Sequence, residues 1–129
     1  MIAQEVGLVQ EWHQALNTGN PEKLAALVST DVRMGGPRGS IKGVEALLQW
    51  IDRANITLTP KRYFKRDHLV GVEALGTWHD PETGEVTGQQ EVTTVFTVKD
   101  QLISQLFRYD SREEALASFG LVEADEVLV

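Results

Sequence analysis

The spacing of apolar residues changes once along the chain, near Asn55. Before that point it is helical. Val6, Val9, Trp12 (or His13) and Leu16 make one buried stripe over Ala3 to Thr18, and Gly19 ends it. Asn20-Pro21 reads as the N-cap and first residue of a short second helix carrying Leu24, Leu27 and Val28. Asp31 to Met34 is a brief strand candidate, broken by Gly35-Gly36-Pro37-Arg38-Gly39. A third helix runs from about Val44 to Ala54, with Val44, Leu47, Leu48 and Ile51 as its core stripe and Trp50 on the flank.

After Asn55 the pattern becomes extended. Ile56 to Arg66 and Leu69 to His79 read as long strands joined at Asp67-His68, and Pro60 marks an edge position or a bulge. Lys61, Arg62, Lys65 and Arg66 suit an edge whose charges discourage further pairing. Asp80-Pro81-Glu82-Thr83-Gly84 is turn chemistry. Glu91 to Val98 and Leu102 to Asp110 form a second hairpin around Lys99-Asp100-Gln101. Ser111 then caps a helix to about Ser118, with Glu114 in the capping-box position and Gly120 as its stop. Helices first and a meander of long strands after them is an α+β order, with helices on one face of a curved sheet.

At 129 residues the chain suits one domain, taken here as residues 1–121 with a tail over 122–129 that is either disordered or laid across the mouth of the fold. A net charge of −7 argues against sequence-independent nucleic-acid binding. The absence of cysteine removes disulfides and thiolate metal sites, and no stretch has membrane-spanning length, so a cytoplasmic protein is expected. His13, His68 and His79 lack metal-ligand spacing, so no metal is expected, and no cofactor is implied. Gly36 to Lys42 only superficially resembles a phosphate loop, because Ile41 separates Lys42 from the glycines.

With these pieces placed, Ala15-Leu16-Asn17-Thr18-Gly19-Asn20, Gly35 to Gly43 and Tyr109 to Leu121 carry a resemblance. The chain resembles the nuclear transport factor 2-like superfamily, and more narrowly its SnoaL-like, ketosteroid-isomerase-like branch, over roughly residues 3 to 121. The resemblance implies a cone: a strongly curved antiparallel or mixed sheet wrapped over three N-terminal helices, enclosing a pocket. It also implies a homodimer through the outer sheet face, where Leu75, Val95, Ile103, Phe107 and Tyr109 are expected. It does not imply a reaction. The position of the ketosteroid isomerase acid–base Asp holds Gly36, that of its oxyanion Tyr holds Trp12, and that of its oxyanion Asp falls near Val92. The epoxide hydrolase Arg-x-Asp pair falls near Ala74 and Gly76, and the second Asp at Arg108. An enzyme built on this chain uses other residues.

Strand alternation supplies candidates. Ser104, Leu106, Arg108 and Asp110 share a face, and the family places Arg108 inside. Arg108 and Asp110 can pair there, either as the polar anchor and base of a site or as a structural ion pair beside a helix cap. Trp12, Trp50 and Trp78, with Phe96 at matching parity, suit the wall of a pocket for a flat ring or the filling of a core; small residues at Val72, Ala74 and Gly76 leave room beside Trp78. Arg33 and Arg38 flank the glycine loop, where they meet an anionic ligand or simply face water. His13 is the histidine placed to reach the pocket. Two functions follow: a protein that binds, and transforms by general acid–base chemistry, a small hydrophobic cyclic molecule, with Asp110 as base and Arg108 stabilising negative charge; or a non-catalytic dimeric module whose cone is filled by its own side chains.

Overall fold

A computed structural model describes residues 3–129. The first apolar stripe folds as α1 (Gln4–Asn17), and α2 (Pro21–Leu27) follows with the Asn20 side chain accepting from the Lys23 amide at 3.1 Å. Val28–Gly36 forms β1, and the glycine loop is a tight turn into β2 (Gly39–Lys42), so the strand region extends beyond the four residues expected. Then come α3 (Val44–Ala54), β3 (Ile56–Arg66), β4 (Leu69–His79), β5 (Val86–Lys99) and β6 (Leu102–Tyr109). In α4 (Arg112–Phe119) Ser111 accepts from the Glu114 amide at 3.3 Å, and Gly120 closes the helix in the left-handed region at φ 73°.

Among the described residues the sheet has seven strands in the order β2-β1-β6-β5-β4-β3-β7, where β7 is Glu126–Val127. It is mixed, because β1 lies parallel to β6 while the other pairings are antiparallel. The sheet curls over the N-terminal helices without closing. Its concave face and the helices share one core, including Val6, Val9 and Trp12 of α1, Leu47 of α3, and Val72, Phe96 and Leu106 from the strands. Asn17 ties the end of α1 to β3 as a backbone strand would, donating to the Leu58 carbonyl at 2.7 Å and accepting from its amide at 2.9 Å. No described helix is long and apolar enough to cross a membrane.

Two bulges alter the alternation. In β3 the register shifts between Pro60 and Arg62, the irregularity that Pro60 announces. In β6 it shifts between Ile103 and Gln105, where Ser104 is the extra residue and donates to the Thr97 carbonyl at 3.2 Å. Unbroken alternation puts Ile103 on the outer face; the bulge turns it inward, level with Val98, and buries it completely. The rest of the apolar outer face is also partly covered. α4 lies across it, so Val95 and Tyr109 pack with Phe64, Ala115, Leu116 and Leu121, while Phe107 meets Phe119. α4 thus covers part of the face through which a homodimer is expected.

Residues 122–129 run along the far edge of the sheet rather than across the mouth. Glu123–Asp125 make a 3-10 turn, and β7 pairs with Tyr63 and Phe64. The basic residues of β3 hold this strap. Arg62 binds both oxygens of Glu126 at 3.0 and 2.7 Å, and Arg66 donates to the Gly120 carbonyl at 2.9 Å and lies 3.7 Å from Asp125. Arg112 of α4 links the buried Glu73 of β4 (2.7 Å) to Glu123 (3.0 Å). A chain ending at Leu121 should lose amide protection in the Arg62–Lys65 segment by hydrogen exchange, because its strand neighbour is gone. Unchanged protection there would show that the strap adds nothing to the sheet.

Candidate functional site

Between the concave face and the helices lies a cleft of about 770 Å³. α1 contributes Trp12 and Leu16, α3 contributes Trp50, and the strands contribute Met34, Ile56, Leu58, Thr94 and Leu106. The Gly35–Ile41 hairpin forms one wall, and Arg108, Asp110 and Glu114 complete the lining.

Register fixes the depth of each polar group. Phe96 pairs with Leu106, and Thr94 with Arg108 two residues nearer the mouth. Burial follows the same order: Phe96 is wholly buried, Arg108 is half-buried and Asp110 is exposed. The Arg108 guanidinium lies over the Trp50 ring at 5.2 Å and the Trp78 ring at 5.9 Å. It makes no ion pair with Asp110 or with any other carboxylate among the described residues. Burial holds its pKa below the ordinary range, and the charge of Asp110 only partly restores it. Arg108 is thus a cation half out of water, held by two indoles, with no anion bound to it.

The other candidates separate. Trp12 and Trp50 line the cleft; Trp78 reaches it through Arg108, and the space beside Gly76 is taken by Ile56 and by the Trp78 ring itself, each 3.4 Å from where a Cβ would stand. Phe96 sits behind the wall, packed edge-to-face on Trp12 and His13. Arg33 alternates with the inward Met34 and faces solvent, outside the cleft, whereas Arg38 on the hairpin turn lines it. His13 is buried in the core beside Trp12; its Nδ1–H donates to the Val9 carbonyl at 2.9 Å, and burial pushes the imidazole down to about 4 despite that bond. Thr94 escaped the sequence reading, although it shares parity with Phe96. Glu114 was legible only as a cap residue.

Gly36 has a steric reason to be glycine. A Cβ there would stand 2.5 Å from the Arg108 carbonyl oxygen, because β1 runs close against β6. The backbone that presents Arg108 therefore excludes any side chain at the position where ketosteroid isomerases carry their acid–base Asp.

The SnoaL-like domain family matches residues 9–106. No curated protein matches the chain. Among solved structures, a proposed polyketide cyclase from Xanthomonas campestris pv. campestris superposes with TM-score 0.70 at 23% identity, covering 88% of this chain and 95% of that one. A protein with a ketosteroid isomerase-like fold from Catenulispora acidiphila DSM 44928, in complex with trimethylamine, superposes with TM-score 0.68 at 21% identity, covering 89% and 93%. TerC co-crystallised with polyporic acid gives TM-score 0.71 at 11% identity, covering 89% and 99%. At these identities the likeness is one of fold.

Proposed function

This chain belongs to the SnoaL-like domain family, and we propose that it binds a small, flat, cyclic organic anion or enolisable ketone in the cleft and moves a proton on it. The observation that carries this reading is Arg108, a partly desolvated guanidinium without a counter-ion, set between Trp50 and Trp78 on the wall of an open cleft. A planar fork of donors is suited to a carboxylate or an enolate oxygen, and low local polarity strengthens the bond. The apolar lining from Leu16, Met34, Ile56 and Leu58 accepts the ring. Asp110 stands two residues further toward the mouth, exposed and not tied up by Arg108. It serves as the base that takes a proton from the carbon next to a carbonyl, while Arg108 holds the oxygen on which negative charge gathers. Solved relatives described as polyketide cyclases, and one holding polyporic acid, support cyclic organic molecules as the ligand class. The cleft volume favours this reading over a cone filled by its own side chains.

Calorimetry with 2-naphthoate tests the anchor, and α-proton exchange of 2-tetralone in deuterated water, followed by NMR, tests the base. Arg108→Met keeps most of the side-chain volume and removes the charge. It should weaken naphthoate by roughly 1.5–3 kcal/mol, about ten- to a hundredfold. A folded Arg108→Met protein that binds naphthoate as before removes Arg108 from the site. Asp110→Asn should stop exchange and spare naphthoate binding; exchange at the full rate would leave Asp110 without the role.

A further inference from the structure

Three rings meet at the inner end of the cleft. Trp12, His13 and Phe96 pack edge-to-face, with centroids 5.3 Å apart for Trp12–His13 and for Trp12–Phe96 and 5.5 Å apart for His13–Phe96. All three are buried, and Trp12 also lines the cleft. Two nitrogens in this triangle lack a hydrogen-bond partner among the described residues, Trp12 Nε1 and His13 Nε2. They have opposite needs. The indole nitrogen can only donate. Because His13 Nδ1–H is committed to the Val9 carbonyl, the neutral ring offers Nε2 as an acceptor.

A buried donor and a buried acceptor left unpaired on two rings in contact form an unusual combination, since native interiors satisfy nearly all such groups. The two do not bond each other. A carbonyl oxygen would satisfy Trp12 and leave His13; an amide N–H would do the reverse. A hydroxyl accepts and donates through one atom. We propose that Trp12 and His13 form a hydroxyl-reading subsite, in which a ligand O–H accepts from Trp12 Nε1 and donates to His13 Nε2.

The inference rests on the reading of Arg108 given above and adds a second point to it. Trp12 touches Phe96, whose strand partner is Leu106, and Arg108 is two residues further along β6. That step is about 7 Å along a strand. The ligand class is therefore a flat ring system with an acidic group at the end facing the mouth and a hydroxyl at the far end. His13 does not itself line the cleft, so on this proposal the hydroxyl reaches its Nε2 past the Trp12 ring.

Three probes share one ring and one carboxylate: 2-naphthoate, 6-hydroxy-2-naphthoate and 6-methoxy-2-naphthoate. The wild-type protein should bind the hydroxy compound about tenfold tighter than the unsubstituted one. The methoxy compound, which accepts but cannot donate, should lose that gain. Trp12→Phe and His13→Phe should each erase the hydroxyl preference, read as the ratio of the hydroxy to the unsubstituted compound within each variant, whereas Arg108→Met should weaken all three and keep that ratio. Equal binding of hydroxy and methoxy compounds by the wild type overturns the subsite without recourse to any variant. So does a hydroxyl preference that survives both aromatic substitutions, or a preference of one, which would mean that the nitrogens hold only a water. If none of the three naphthoates binds, the Arg108 reading fails first and the subsite fails with it.

Discussion

Gly36→Asp is expected to destabilise the protein by about 3 kcal/mol or more and to add no proton-transfer activity beyond that of the wild type. The position is the one at which ketosteroid isomerases carry their acid–base residue, so the substitution looks like a repair. Geometry says otherwise. Any Cβ at Gly36 meets the Arg108 carbonyl oxygen at 2.5 Å, far inside contact distance, and the obstacle is backbone rather than a movable side chain. Relief requires β1 to separate from β6, which would break the parallel pairing that runs from Arg33–Gln105 to Gly35–Phe107 and shift Arg108 itself. Gly36→Ala should therefore cost nearly as much as Gly36→Asp in urea denaturation, because the clash is with Cβ and the carboxylate adds little. An alanine variant as stable as the wild type would refute the steric account. A strand close enough to present Arg108 leaves no room for a carboxylate at Gly36.

Most of the architecture was legible in the sequence because its signals are local. The Asn20-Pro21 cap, the Ser111 cap and the Gly120 stop each fix one helix end through a single side chain or a single backbone conformation. The switch from helical to extended periodicity near Asn55 is likewise local. What alternation could not reveal were the bulges, which change parity without changing composition. One extra residue at Ser104 moved Ile103 from the outer face to the core. Destination was a second blind spot. The last helix was readable, yet its place across Val95 and Tyr109 depends on long-range packing, and so does the strap that uses Arg62 and Arg66 for binding rather than for repulsion. Among the candidate residues, parity puts Arg108 and Asp110 on the cleft side, as the structure does, since the bulge lies before them. Arg33 was named with Arg38 for their shared nearness to the glycines, and only the strand direction separates them. The pairing expected between Arg108 and Asp110 is absent because the guanidinium turns to the indoles instead.

Acid should unfold this protein through His13. Its imidazole is buried against Trp12 and Phe96, with only the Val9 carbonyl as a polar partner among the described residues, and burial moves its pKa from 6.5 down to about 4. In the unfolded chain the ring titrates near 6.5, so between these values the unfolded state binds the extra proton. Stability is then undiminished above pH 6.5 and falls as pH is lowered toward 4, levelling off below it. For a shift of this size the loss attributable to His13 is about 3 kcal/mol. Acid acts on more than one group of a folded chain, so the wild-type curve alone does not isolate the effect. The comparison that does is His13→Phe, which keeps an aromatic ring in the triangle and removes the proton site. Urea denaturation of both proteins at pH 7.5 and pH 4.5 gives four free energies of unfolding. The drop between the two pH values should be smaller in His13→Phe by most of that amount, because every other titrating group is common to both chains. Equal drops would mean that the imidazole is solvated in the native state, which would also undercut its place beside Trp12 as a dry acceptor.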